Sequence, residues 1–590
     1  MGECMDLFGF LELIGGLSLF LFGMSLMGTG LEKSAGNKLK GFLEHLTSKK
    51  INGFLMGVAV TAIIQSSSAT TVMVVGFVNS GIMTLKQAIH VIMGANVGTT
   101  VTAWILSLTG IEGSNLLIKL LKPSSFAPVL ALFGIIYYLF IKNERKKDIG
   151  LILLGFTTLI YGMEAMSAAV KPLGEMEGFR NILLIFSNPV LGLLAGALIT
   201  GIIQSSSASV GILQALSATG QVTMGTAIPI IMGQNIGTCV TALISSVGTN
   251  KNARRAALVH LYFNIIGSSI FITLYTILNA VFDFAFIDRA ANHIFIAIAH
   301  STFNILCTAL LLPFSGLLEK LAYKTIKEDD KQDNVLLLDS RLFSTPAIAI
   351  NRSRDIAKEM AYTSMNSIRQ AFALIDNYDE KEAQKVRDAE HQTDTYEDAL
   401  GTYLVKLSSH NLSVQDTVEV AKLLFLIGEF ERIADYALEI TGSAQEMFDK
   451  KMQFSEQAKF EMGVMVSAVE EAVETAIKAF SDNNISLAAK VDPLEEVIDD
   501  LKSAMKKQHI GRLQSNDCTI EMGFVFSDLI TVLERISDHC SNIAGCLIEM
   551  SHDSMNMHNY LYKVKHEPNN EFIKQFKEYS KKYTIGGENC

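Results

Sequence analysis

The tetrapeptide Gln-Ser-Ser-Ser occurs at Gln65–Ser68 and again at Gln204–Ser207, each time inside a long apolar run. Few features constrain a fold more, because polar groups at membrane depth need partners and lipid offers none. The copies lie 139 residues apart. So do GANVGTTVTA at Gly94–Ala103 and GQNIGTCVTA at Gly233–Ala242, which share seven of ten positions. Gly23 and Gly162, Gly53 and Gly192, Gly57 and Gly196, and Thr61 and Thr200 keep the same spacing. A single offset held this far marks a duplication, and duplicated membrane segments are a mark of transporters.

Charge separates two unlike parts. Residues 1–326 carry 20 Lys+Arg and 14 Asp+Glu, and the rest carry 29 and 46. The front reads as membrane, the back as an acidic module without the basic surface that nucleic-acid binding needs. Seven scattered cysteines, an odd number without zinc-ligand spacing, argue against a disulfide framework. The first Lys is Lys33, so Leu7–Met27 is expected to be a retained membrane helix, not a cleaved signal.

Basic residues gather in cytoplasmic loops, which orients the copies. In copy one the connector after the first span carries Lys33, Lys38, Lys40, Lys49 and Lys50, and the loop around Glu112 has no basic residue before Lys119. In copy two the leader carries Lys142, Arg145, Lys146 and Lys147, and the final loop Lys251, Arg254 and Arg255. Equivalent loops thus have opposite bias, which predicts inverted repeats with the N-terminus outside and the acidic module in the cytoplasm. Each repeat is expected to hold a re-entrant hairpin. Asn52–Ile64 enters and Ala69–Val78 leaves in the first; Leu191–Ile203 enters and Ala208–Leu216 leaves in the second. The Gln-Ser-Ser-Ser tips then meet near the midplane.

Such a tip offers hydroxyls, an amide and a half-helix N-terminus, which suit an oxyanion. The repeat cores hold almost no Arg or Lys, so co-bound cations must balance the charge. Side-chain oxygens and carbonyls of broken helices suit Na⁺, and Gly94–Ala103 and Gly233–Ala242 read as such breaks, with close helix packing as the alternative use of Gly94 and Gly233. Glu164 lies in a span where copy one has Ser25, which makes it a candidate intramembrane carboxylate, with a wet helix end as the alternative.

Taken together, the paired QSSS and G-x-N-[VI]-G-T segments resemble the sodium–phosphate cotransporter family, the type II group and its bacterial relatives, over about residues 7–315. The resemblance implies Na⁺-coupled movement of inorganic phosphate across a cell membrane. It implies that Gln65, Ser66, Ser67, Ser68, Gln204, Ser205, Ser206 and Ser207 frame the phosphate and sodium sites, with Asn96, Thr99, Asn235 and Thr238 as further ligands.

The back half holds a second duplication. From about Ile348 apolar residues recur at three and four, and six helices are expected, breaking near Asn377–Asp379, His410–Ser413, Lys450–Phe454, Asp482–Asn484 and Gln514–Asp517. ERIADYA at Glu431–Ala437 matches ERISDHC at Glu534–Cys540, and Glu390 and Asp394 match Glu495 and Asp499. Each Glu-x-x-x-Asp stacks two carboxylates on one helical face. Four pairs, Glu390/Asp394, Glu431/Asp435, Glu495/Asp499 and Glu534/Asp538, suit hard cations such as Mg²⁺, Mn²⁺ or Fe; the alternative is a solvated acidic face neutralised by Arg432 and Arg535. These features resemble the PhoU-like regulator domain, a tandem three-helix bundle, over about residues 348–555.

The expected architecture is therefore all-α. A polytopic membrane domain spans 1–327, with repeat one about 7–110, repeat two about 146–250 and extra spans to 315. A linker, 328–346, carries the apolar run Val335–Leu338 as a docking stripe. A cytoplasmic PhoU-like domain, 347–555, and a basic tail, 556–590, disordered or surface-bound, complete the chain. The partners expected are inorganic phosphate and the lipid bilayer, not nucleic acid; a homodimer is left open. No G-x-x-x-x-G-K-[ST] loop or nucleophile elbow is present, so neither an enzyme nor an ATP-driven pump is expected. A Na⁺-coupled secondary transporter of phosphate is the main reading; a phosphate efflux carrier and a membrane-anchored sensor are the alternatives.

Overall fold

A computed structural model describes residues 7–44, 50–110, 122–327, 338–410, 412–515, 518–549 and 570–585. The loop around Glu112 and Lys119, Lys49, the run Val335–Leu337, the tail near Tyr560, and Cys4 and Cys590 lie outside the described residues. Every regular element among those described is helical. The chain divides into two units, Met1–Thr345 and Pro346–Cys590.

Among the described residues of the first unit seven helices are long and apolar enough to cross a membrane. The duplication is visible in how they pack. Helix α1 (Leu7–Glu44) lies along α7 (Glu144–Val170), its counterpart in the second repeat. Gly16 faces Met166, Gly23 faces Leu159 and Gly30 faces Ile152. One index climbs as the other falls, so the equivalent helices are antiparallel, as inverted repeats require. A Cβ at Gly23 would strike the Leu159 backbone; the helices approach closely because small residues line the seam, the usual device where lipid supplies no hydrophobic drive.

Helix α2 (Lys50–Ile64) packs beside α4 (Leu85–Gly98). Here Gly53 meets His90, Gly57 meets Val91, and Gly98 meets Thr61. The indices climb together, so the helices are parallel, and the chain must return to its starting face between them. Helix α3 (Ser67–Asn79) makes that return. At about 1.5 Å per residue neither arm reaches the ~30 Å of a hydrocarbon core. The reversal is made at Gln65, which sits at φ 60°. Repeat two builds the same hairpin from α9 (Pro189–Ile203) and α10 (Ser206–Ser217), with Gln204 at φ 58°. Ahead of it, α8 (Glu177–Ile185) bends away from α9 by 102°.

The expected helix breaks are corrected by the structure. In repeat one α4 and α5 (Thr100–Ser107) are separated only by Thr99, which keeps helical angles of φ −59° and ψ −27°. In repeat two α11 (Met224–Ser245) is continuous. The glycines serve close packing instead: a Cβ at Gly94 would strike the Phe54 carbonyl, and one at Gly233 that of Leu193. Glu164 is half-exposed and lies 3.5 Å from Lys122, an ion pair rather than a buried carboxylate. Helices α6 (Pro123–Phe140), α12 (Lys251–Phe282), α13 (His293–Leu311) and α14 (Ser315–Thr325) complete the unit.

The second unit is two three-helix sets in tandem. The first is α15 (Pro346–Asp376), α16 (Glu380–Ser408) and α17 (Val414–Asp449); the second is α18 (Glu456–Asp482), α19 (Val491–Gln514) and α20 (Ile520–Glu549). The breaks fall where the sequence places caps. Asp379 accepts from the N–H groups of Lys381 and Glu382 at 2.8 and 3.1 Å, and Ser413 from that of Asp416 at 3.1 Å. Asn483 ends α18 in the left-handed region at φ 50°. Part of the tail is ordered: α21 (Asn570–Lys582) packs on this unit, with Lys582 2.8 Å from Glu471 and Tyr583 buried.

Candidate functional site

Each hairpin tip is a short extended step into a half-helix. Ser66 and Ser205 are the N-caps, and each hydroxyl accepts from the N–H three residues on, Ala69 and Ala208, at 3.2 Å. The N–H groups of Ser67 and Ser68, and of Ser206 and Ser207, are first-turn donors without a partner inside their helices. The partial positive ends of α3 and α10 thus open at the tips. The two tips touch: the Ser68 hydroxyl donates to the Gln204 carbonyl at 3.3 Å, across 136 residues of sequence. Ser67, Ser206 and Ser207 are buried, as is Gln65, whereas Gln204 is exposed.

The surroundings hold the tips in place. Thr102 donates to the Gln65 side-chain oxygen at 2.9 Å, and Thr61 to Thr70 at 3.1 Å, tying the arms of hairpin one together. The second group of expected ligands is placed differently. Thr99 and Thr238 donate to Ala95 and Gln234 carbonyls of their own helices at 3.0 Å. Asn235 donates to the Ile231 carbonyl at 2.9 Å, and Asn96 faces His260 at 3.4 Å. Among the described residues no hydrogen bond joins these four to a tip.

His260 and Asn264 on α12, and His300 and Asn304 on α13, were missed by the sequence reading. All four are buried. They belong to HLYFN and HSTFN, a repeated His-x-x-Phe-Asn set 40 residues apart. Its spacing differs from 139, so a search at the main offset passes over it. Each Asn turns its amide to the carbonyl of its own His, at 3.0 and 2.8 Å, and the side-chain oxygen has no partner.

In the second unit the acidic pairs diverge. Carboxylate oxygens of Glu495, Asp499 and Asp538 lie within 4.8 Å of one another, a spacing that could hold a metal ion. Glu534 does not join them: it pairs with Lys502 at 2.8 Å. In the first set, burial and then the neighbouring Asp435 push the Glu431 carboxyl up to about 7. Burial, then Asp435 and Asp394, raise Glu390 as well. Asp435 thus bears on both Glu390 and Glu431, and Arg432 lies 3.8 Å from both Glu431 and Asp435; among the described residues only Glu495, Asp499 and Asp538 are spaced to share a metal ion.

Inverted repeats, re-entrant hairpins and touching polar tips define a membrane transport protein. Residues 19–168 and 158–294 match the Na⁺/Pi-cotransporter model, and residues 357–443 and 463–547 match the PhoU domain. The chain belongs to the sodium–phosphate cotransporter family and carries a PhoU domain after it. It is 24% identical over 549 residues to YjbB of Salmonella typhimurium, whose name proposes inorganic phosphate export, covering 91% of this chain and 97% of that one. It is 41% identical over 123 residues to the human sodium-dependent phosphate transport protein 2B, covering 19% of this chain and 18% of that one. PhoU from Pseudomonas aeruginosa matches in structure at 20% identity and a TM-score of 0.34, covering 36% of this chain and 100% of that one.

Proposed function

We propose that this chain is a Na⁺-coupled secondary transporter of inorganic phosphate, with a regulatory second unit in the cytoplasm. The observation that carries the proposal is the meeting of the two tips at Ser68 and Gln204. Two half-helix N-termini from opposite repeats converge there with six serine hydroxyls, a donor-rich setting for a tetrahedral oxyanion. Gln65–Ser68 and Gln204–Ser207 frame the anion. No Lys or Arg is hydrogen-bonded to either tip among the described residues, so Na⁺ supplies the positive charge. Asn96, Thr99, Asn235 and Thr238 are further candidate ligands on the segments packed beside the hairpins.

In the second unit Glu495, Asp499 and Asp538 would hold a hard divalent cation, and Glu390, Asp394, Glu431 and Asp435 a second one. Such an ion neutralises carboxylates that otherwise repel. The transport part extends to about residue 327 and the regulatory part begins near 347.

The test is uptake of radiolabelled phosphate into proteoliposomes with and without an inward Na⁺ gradient. Uptake should require the gradient. Ser67→Ala and Ser206→Ala should each weaken it by roughly ten- to a hundredfold in apparent affinity, the value of one hydrogen bond to a charged ligand, about 1.5–3 kcal/mol. Gradient-independent uptake would sink the coupling, and normal uptake by both variants would sink the site. Net export is the second reading, favoured by the relative that matches nearly end to end. It predicts that phosphate loaded inside leaves faster than outside phosphate enters at equal Na⁺.

A further inference from the structure

The second unit begins at Pro346, yet the residues just before it are packed into the first. Ser340–Ser344 form one 3₁₀ turn, capped by Asp339, which accepts from the Arg341 N–H at 2.9 Å. Asp339 is only 4% exposed. Its second oxygen accepts from the Asn79 side-chain amide and from the Arg341 guanidinium, both at 2.8 Å. Arg341 also donates to the Val247 carbonyl at 3.2 Å. Leu342 is fully buried over Gly76, where an added Cβ would lie 3.5 Å from its Cδ2.

Asn79 is the last residue of α3. It also accepts from the Asn250 N–H at 2.8 Å, and its carbonyl accepts from the Asn250 amide at 2.8 Å. One side chain thus joins the end of the repeat-one half-helix, the turn that starts α12, and the segment leading to the second unit.

We infer that Asn79, Asp339 and Arg341 are positioning residues for the repeat-one tip: they clamp the far end of the half-helix that begins at Ser67. The inference rests on the transport reading for its consequence, not for its geometry. A helix of 13 residues moves as a rigid rod. A displacement at Asn79 is therefore carried to Ser67, and inverted-repeat carriers work by rocking such elements around the site. The clamp also places the chain that enters the second unit on the half-helix itself, so a change of state there can pull on the tip. Asp339 is buried and doubly paired, so removing it leaves the Asn79 amide and the Arg341 guanidinium each short of a partner.

The experiment uses the full chain in three forms: Asp339→Ala, Asn79→Asp, and Asn79→Asp with Asp339→Asn. The single change at Asn79 sets carboxylate against carboxylate. The double change exchanges donor and acceptor and keeps one carboxylate within reach of Arg341. Amide hydrogen exchange at Ala69 and Thr70 reads tip order without any transport. It should accelerate about tenfold in both single variants, the loss expected of one charged hydrogen bond, and return to within about threefold of the parent in the exchanged pair. Phosphate uptake should follow, with the half-saturation concentration rising in the singles and recovering in the pair. Unchanged tip exchange in the singles overturns the inference, and so does an exchanged pair no better than either single, which would indicate general loosening. A parent that moves no phosphate but shows the exchange pattern would sink the transport reading and leave the clamp standing.

Discussion

At the scale of single residues, Gln65 and Gln204 carry the most information. Both are non-glycine residues in the left-handed region, where a Cβ is disfavoured by roughly 1 kcal/mol or more. The sequence marks the position through its polarity, because lipid does not tolerate four polar residues in a row without partners. Which side chains there turn inward is another matter: Gln65 is buried under Thr102 while Gln204 is exposed, and nothing in two identical tetrapeptides separates them. Glu534 teaches the same lesson. Its motif is that of Glu431, but Lys502 comes from another helix and takes it out of the acidic group. Glu431 itself yields a prediction. Its folded-state value of about 7 lies above the ordinary 4.5, so the native state holds that proton more tightly than the unfolded one. The contribution is fully present below about pH 4.5 and is lost as pH rises through 7. Metal-free protein should therefore melt at a lower temperature at pH 8 than at pH 5.5, and Mn²⁺ should restore stability at pH 8 by replacing the proton. Thermal unfolding across that range, with Glu431→Gln for comparison, checks it. A variant that keeps the parent's full pH dependence would exclude Glu431 as the source.

Elements were legible wherever a cap or a periodicity change announced them. Five expected breaks in the acidic half coincide with the loops between α15 and α20, because Asp379, Ser413, Ser455 and Asn484 are capping residues whose chemistry is local. The re-entrant arms were legible for a similar reason, since four polar residues in an apolar run leave few alternatives. The helix breaks at Gly94 and Gly233 were misread because glycine has two uses, and only the neighbour decides between them. With Phe54 and Leu193 carbonyls pressed against the missing side chains, packing is the use here. The direction of the elements predicts labelling. Asn79 and Asn250 are hydrogen-bonded, so the turns that follow α3 and α11 share one face. Gly174 lies against Thr219 after α10, at the other end of α7. Single cysteines replacing Ile82 and Val247 should react with an impermeant thiol reagent from the same side of the membrane, and one replacing Gly178 from the opposite side. Ile82 and Val247 labelled from different sides would mean that hairpin one crosses instead of returning.

At the scale of the whole molecule, a carrier and an acidic helical unit share one chain, and regulation is the prediction that belongs here. If divalent metal in the second unit sets the rate, Asp435→Ala with Asp538→Ala should make initial phosphate uptake insensitive to Mg²⁺ or Mn²⁺ loaded inside the vesicles, while leaving uptake without metal unchanged. Sensitivity equal to the parent's would remove the regulatory role from these carboxylates. The sequence by itself determined the duplication, the inversion, the re-entrant tips and the tandem bundles, because each follows from short-range rules: polarity against lipid, charge in loops, helical period and caps. Only the tertiary structure decided that the meeting tips touch through the Ser68 hydroxyl and the Gln204 carbonyl, that Glu534 leaves its group, and that Asp339 and Leu342 belong to the transport unit. Those outcomes depend on which surfaces meet between separate elements, from Lys502 with Glu534 to Asn79 with Asp339, and no local pattern records that.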